Sequence, residues 1–456
     1  VLRGGFGLGG AEGKLRRARD GTVAVALASK SPEVGQARSV PELLDQLDKI
    51  FEQPLLAALE TVTVDGVIVN FDDARARRSW VVDGGAFSLD LRGGETALHG
   101  NLSLLSGRAG VTTVNLSYSS PRGSRAAQLA VNIDDAIASD IAAQSPALTW
   151  LRDVEAPISA SLRTGLDADG TLGALSAVLE IGQGVLQPNA ATAPVHFDAA
   201  KAYLTYNPVR DQIAFSEIVI DTEWGRLRAD GTAYLREIVD GLPRSLLGQF
   251  QFRDVALNPM GFYETAPTIE NASVDFRLRF DPFEIDLGQM VLTNGDLQVL
   301  SQGTLSARPD GWHGAFDANV NEIAPAQLLA FWPTEVKPRT RKWIAENLSQ
   351  GQLINGNVGL RVVPDQPRAF ALGFEFADAH IRFMRQMPLI TGAAGVASLG
   401  GGQFIATLDQ GRVTPPDGGA IDASGTTFTV LDTRQKPGNG RVDLNLDGSV
   451  TSVLEE

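Results

Sequence analysis

Residues Ala272–Phe280 read ASVDFRLRF, with Val274, Phe276, Leu278 and Phe280 at every second position and Asp275, Arg277 and Arg279 between them. Side chains alternate across a strand with period two, so this spacing predicts a strand with one apolar face and one charged face. GAFSLDL sets Phe87, Leu89 and Leu91 against Ser88 and Asp90 in the same way. RAFALGFEF aligns Phe370, Leu372, Phe374 and Phe376, and RVDLNLDG aligns Val442, Leu444 and Leu446. VTVDGVIVNF alternates with a break at Asp65-Gly66, which predicts a bulge. Short turn signals such as RGGE, SGRAG, DADG, TNGD and RPDG separate these segments. Short turns join antiparallel neighbours, so the expected fold is a mainly β meander. Helices do not alternate with strands, which excludes an α/β fold.

Helical spacing appears at intervals. Val40, Leu43, Leu44, Leu47, Ile50 and Phe51 follow Ser39 as a cap and Pro41 in the first turn, predicting a helix over 40–59. A second is expected over 134–151, a short third over 258–264, and a fourth from Ala324 to about Leu348. These excursions divide the chain into four segments: 1–156, 157–265, 266–349 and 350–456. A small closed barrel cannot use this many strands, and flat open sheets rarely exceed ~10 strands without curling. The sheet is therefore expected either to split into stacked sandwiches or to run on as an elongated, curled trough with its apolar face inside.

Composition removes several functions. The 456 residues are 43% apolar and 20% charged, with a net charge of −15 and no block of Lys and Arg, so nucleic acid is excluded as a partner. The absence of cysteine excludes disulfides, thiolate metal sites and a cysteine nucleophile. There is no run of 18 apolar residues to span a bilayer as a helix. The opening VLRGGFGLGG reads as mid-strand, which suggests a fragment whose targeting segment lies upstream. Its glycines resemble a phosphate loop in content alone. His99, His196, His313 and His380 are too far apart in sequence to pair as metal ligands. GLDADGTLG lacks the later ligands of a calcium loop and reads as a hairpin turn. Asp72-Asp73 reads as a turn and Asp134-Asp135 as a helix start. No catalytic residue, metal site or cofactor is assigned, and the chain is expected not to be an enzyme. What it holds in excess is apolar sheet face.

One stretch breaks the alternation: FWPTEVKPRTRKWIAENLSQG, Phe331–Gly351. Its Trp332, Pro333, Arg341, Trp343, Asn347, Leu348 and Gly351, with the strand that follows, resemble the AsmA-like superfamily of Gram-negative bacteria, in its YhdP-type branch. The block from APISASLRTG to GTAYL and the 40–59 helix with VTVDGVIVNFDDARARRSWVV are similar to the same branch, and the resemblance runs over roughly 35–430. It implies a long, curled periplasmic β-groove lined with apolar side chains. Such proteins are chorein-like bridges, held to the inner membrane by an N-terminal helix, which is expected to lie upstream of this fragment. The implied role is non-enzymatic transport of phospholipids to the outer membrane, with envelope proteins as partners at either end. On that basis Phe87, Leu89, Leu91, Val274, Phe276, Leu278, Phe280, Phe370, Leu372, Phe374 and Phe376 are expected to line the groove.

The tryptophan stretch itself reads as a structural corner. FWP should end a strand or start a helix, because proline restricts the residue before it. Ile344 and Leu348, with Trp343 beside them, would pack on the sheet, while Lys337, Arg339, Arg341 and Lys342 point outward. The rival reading is a structural or assembly factor of the cell envelope, either a periplasmic spacer or a β-rich chaperone offering sheet edges to outer-membrane proteins. An outer-membrane barrel is disfavoured by five tyrosines and interrupting helices. A glycan-processing enzyme would need paired acids in a cleft.

Overall fold

The structure is a computed structural model that describes residues 4–10, 12–19, 22–27, 35–37, 59–105, 110–258, 263, 266–382, 388–415, 419–435 and 439–449. The helix expected over 40–59 and nearly all of the one over 258–264 lie outside the described residues. Strand makes up 66% of the described residues and helix 8%, so the class is mainly β with few helices, as the alternation predicts. The chain divides into two units. The first comprises Val1–Thr222, Ala229–Gly248 and Leu278–Asp281, and the second Glu223–Arg228, Gln249–Arg277 and Pro282–Glu456.

The first strands are β1 (Gly4–Gly9), β2 (Glu12–Arg17), β3 (Val23–Leu27), β4 (Gly35–Ala37), β5 (Leu59–Asp73) and β6 (Arg78–Asp90). Next come β7 (Glu95–Leu105), β8 (Thr112–Pro121), β9 (Ala127–Ile137), β10 (Val154–Glu155), β11 (Pro157–Leu166) and β12 (Leu175–Ile181). β13 (Gly184–Leu186), β14 (Val195–Phe197), β15 (Ala199–Asn207) and β16 (Gln212–Thr222) follow. β17 (Gly225–Arg236), β18 (Ser245–Leu257) and β19 (Thr268–Phe280) contribute residues to both units. The second unit continues with β20 (Phe283–Asn294), β21 (Leu297–Arg308), β22 (Gly311–Ile323), β23 (Leu348–Val362) and β24 (Ala369–Ile381). Then come β25 (Ile390–Gly400), β26 (Gln403–Val413), β27 (Ile421–Asp422), β28 (Thr427–Val430) and β29 (Gly440–Asp443).

From β5 to β9, and on through β11, β12, β15 and β16, each strand pairs antiparallel with the next. The purely antiparallel expectation fails at one edge. β1 and β2 both run parallel to β5, β1 along its first half and β2 along its second. Together they form one strand interrupted near Gly10, whose φ is +74°. On β5 the expected bulge is present: the register slips between Val64 and Val67, with Gly66 at φ +67°.

The helix expected over 134–151 is a second correction. Asp134 and Asp135 stay in β9, with Asp135 in the left-handed region at φ +58°. The chain becomes helical only over Ala138–Ile141, and again in a 3₁₀ turn over Pro146–Leu151. Pro146 forces Ser145 into extended backbone, which ends the first piece, and the Ser145 hydroxyl accepts the Ala147 N–H that starts the second. This segment sets Trp150 edge-on against Phe215, 6.1 Å between ring centroids. Leu148, Leu151, Ile158, Leu179 and Ile213, all in the first unit, are fully buried.

Asp73 ties this unit together. Its side chain is 0% exposed and pairs with Arg17 of β2. It also accepts the backbone N–H groups of Arg75 at 3.0 Å and Ala76 at 3.1 Å, closing the β5–β6 turn. Gln144 donates to it at 3.3 Å, and Arg17 reaches the Ala143 carbonyl at 3.4 Å. One carboxylate thus joins the parallel edge, a hairpin and the helical segment. Asp73→Ala leaves the Arg17 guanidinium half-buried and unpaired. It should cost about 3–5 kcal/mol, measured by denaturant unfolding.

Asp153 closes the same segment, and burial pushes its carboxyl up to about 6. Arg152 opposes that rise and Asp281 adds to it. A carboxyl raised on folding costs nothing where both states are protonated, and its full cost is present above the folded value. Wild-type stability should therefore fall as pH rises from about 4 to about 6. Asp153→Asn should be more stable than wild type by about 2 kcal/mol at pH 7, with the gap closing toward pH 4 in thermal melts.

In the second unit, β20 through β26 form an antiparallel meander, and β27 and β28 both pair with β26. Its core gathers Phe376, Ala379, Ala393, Ala397, Leu408, Val413, Ile421 and Ala423, with Phe374, Leu353 and Leu446 packed around them. Leu444 lies beyond the end of β29 and is exposed, so the alternation read in RVDLNLDG is interrupted there, between half-buried Val442 and Leu446.

Candidate functional site

Cross-strand register assembles the apolar positions into rows. In the first unit one row takes a residue from each of nine strands: Val64, Phe87, Gly100, Leu116, Val131, Leu162, Ala177, Leu204 and Phe215. On β5 to β11 its large side chains are half-buried, whereas on β12, β15 and β16 they are buried. A second row joins Val62, Leu89, Leu98, Tyr118 and Leu129, all half-buried. In the second unit Val358, Leu372, Leu399, Phe404 and Val430 form a comparable half-buried row.

Among the described pairs of the large sheet a phenylalanine faces a cross-strand glycine three times: Phe87 with Gly100, Phe316 with Gly303, and Phe376 with Gly395. A Cβ on Gly100 would stand 2.8 Å from the Phe87 ring, and one on Gly303 2.6 Å from the Phe316 ring. Each ring therefore lies over its partner's backbone, which only glycine allows.

The opposite face of these strands is polar. Asn101 donates to Asn115 at 2.7 Å, the next residue across is Asn132, and Ser161 donates to Asn132 at 2.8 Å. Exposed or half-buried Thr63, Ser88, His99 and Ser117 lie beside them in register. One sheet thus separates a wet face from an apolar one.

The residues expected to line a groove do not share one environment. Phe87 and Leu89 are half-buried and lie on the rows, while Leu91 is buried beyond them. Val274, Phe276 and Leu278 are half-buried and Phe280 is buried, with Phe276 stacked on Phe250 at 5.7 Å. On β24 the stripe is graded, from Phe370 at 48% exposure through half-buried Leu372 and Phe374 to Phe376 at 9% in the closed core.

The tryptophan stretch is two helices, Pro325–Phe331 and Pro338–Asn347, with a turn between them. Pro333 ends the first helix by holding Trp332 extended, so FWP terminates a helix and not a strand. The Trp332 indole donates to the Val336 carbonyl at 2.6 Å, and Tyr263 donates to the Phe331 carbonyl at 3.0 Å. Arg341 was expected to point outward. It turns inward instead and donates to the Leu329 and Trp332 carbonyls, both at 3.1 Å. These carbonyls lack partners within their own helix, so the guanidinium supplies the missing donors. Trp343 was expected to pack with Ile344 and Leu348. One residue before Ile344 it faces another way, and it is 40% exposed. Asn347 closes the corner by donating to the Trp343 carbonyl at 2.8 Å. At Gly351, φ is +131° and a Cβ would meet the Ala379 backbone at 2.8 Å.

His99 and His196 are exposed, His380 is half-buried, and His313 meets Asp310 at 2.9 Å. Among the described residues no group of His, Asp and Glu is arranged to hold a metal ion, and no helix is long and apolar enough to cross a membrane. Comparison with family models, curated proteins and solved structures returns no match.

Arg341→Ala should destabilise the second unit by about 1.5–3 kcal/mol, the range for hydrogen bonds to a charged group. Arg341→Lys should recover only part of this, because an ammonium lacks the planar fork that serves two carbonyls. Both are read by denaturant unfolding.

Proposed function

We propose that the half-buried apolar rows shield phospholipid acyl chains, and that the protein is a non-enzymatic conduit for lipid between membranes. The observation that carries this reading is the nine-strand row from Val64 to Phe215, apolar or glycine throughout and half-buried over its first part. Eight inter-strand steps of ~4.8 Å give a contour of about 40 Å. That exceeds the length of one acyl chain, about half of a 30 Å hydrocarbon core. Each methylene moved from water to such a face gains about 0.8 kcal/mol, so a chain can slide from strand to strand without meeting water. Weak, repeated contacts suit passage better than one tight pocket, and the headgroup can stay in solvent.

The likeness of the Trp332–Gly351 motif to AsmA-like proteins of the YhdP type points to the same role. In that role the chain works in the periplasm, held by the inner-membrane anchor that the resemblance implies, and delivers phospholipid to the outer membrane.

A photoreactive residue at Leu116, on the apolar row, should crosslink to phospholipid in cells. The same residue at Ser117, on the polar face, should not. Mass spectrometry of the adducts checks this. Absence of lipid at position 116, or equal labelling at 116 and 117, would sink the conduit and favour a structural role in the envelope.

A further inference from the structure

We propose that the exposed side of the Pro338–Asn347 helix, with the turn before it, docks the protein onto an anionic phospholipid bilayer. The chain as a whole carries −15, whereas here exposed Lys337, Arg339 and Lys342 outnumber the exposed acids Glu335 and Glu346. Arg339, Lys342 and Trp343 are spaced i, i+3, i+4 and all are exposed, so they share the outer face of the helix. Lys337, exposed and left-handed at φ +48°, heads that face, and exposed Val336 precedes it. Among the described residues neither Lys337 nor Arg339 forms an ion pair, and Lys342 meets only Glu346, at 3.6 Å with both side chains exposed. At the other end Arg382 is exposed, and its backbone N–H bonds the Asn347 carbonyl at 2.9 Å.

None of these outward groups holds the corner together. Arg341, the Trp332 indole and Asn347 do that, and Ile344 and Leu348 are half-buried on the inner side. Cations alone would suit any acidic surface. Trp343 and Val336 beside them add an apolar component, and an indole settles at the headgroup level of a bilayer. Basic residues interleaved with a tryptophan on one helix face fit a membrane interface better than an acidic protein.

The proposal does not rest on acyl-chain binding. Docking is read by vesicle sedimentation and acyl-chain contact by crosslinking at Leu116, so failure of the conduit and failure of docking are separable. Each cation near an anionic surface raises partitioning about fivefold. The 456-residue chain should therefore co-sediment with phosphatidylglycerol vesicles at low salt, ignore phosphatidylcholine vesicles, and be released as ionic strength rises. Changing Lys337, Arg339 and Lys342 together to Gln should weaken capture about a hundredfold with an unchanged melting curve. Glu346→Lys, on the same face, should strengthen it about fivefold or more. Trp343→Phe should remove a blue shift in fluorescence that the vesicles induce in wild type. A triple variant that partitions like wild type overturns the proposal, and so does wild type that ignores anionic vesicles. Retention on poly-glutamate resin with no vesicle capture would overturn it in favour of an acidic protein partner.

Discussion

A β-strand can satisfy its backbone only through its neighbours, and in a meander those neighbours are set by the turns on either side. Once the turn fixes the register, each apolar residue gains a defined partner on the next strand. Val64 meets Phe87, Leu116 meets Val131, and the row continues to Phe215 without a charged residue in it. A slip of one residue would turn Ser88, His99 and Ser117 onto the apolar face. The separation of wet and apolar faces, the buried core under Trp150 and the proposed lipid path all depend on that register.

The alternation of apolar and polar residues was enough to read the class, the strands and the bulge at Gly66. Some pairings were also legible. Phe87 and Gly100 are equidistant from the Gly93-Gly94 turn, and Gly303 and Phe316 from Pro309-Asp310. The glycine opposite each ring could therefore have been found by reflecting the sequence about the turn. Other features depend on contacts that local pattern does not carry. Asp73 looks like an ordinary turn acid beside Asp72, and its burial comes from Arg17 and Gln144, both far away in sequence. The parallel edge formed by β1 and β2 has no short turn to announce it.

The tryptophan corner shows where residue type misleads. Its four cations look alike in sequence, yet Arg341 faces the carbonyl end of the preceding helix while Lys337, Arg339 and Lys342 face solvent. Helix phase decides between them, and the phase is set by Pro338 at the first turn. The same phase exposes Trp343 and half-buries Ile344. The residues of the corner stand out in the sequence by their break in the alternation, whereas which of them face inward or outward depends on the backbone.

The hairpin is the unit of growth in such a meander. Within β5 to β9 each strand pairs with the strands before and after it, so two strands and their turns could be inserted or removed without changing which face is apolar. An odd number of added strands would reverse the direction of everything downstream, while an even number preserves it. The fold can thus lengthen in steps of about 10 Å, keeping one apolar face and one strand direction, and the width of the sheet becomes a property that gene duplication can tune.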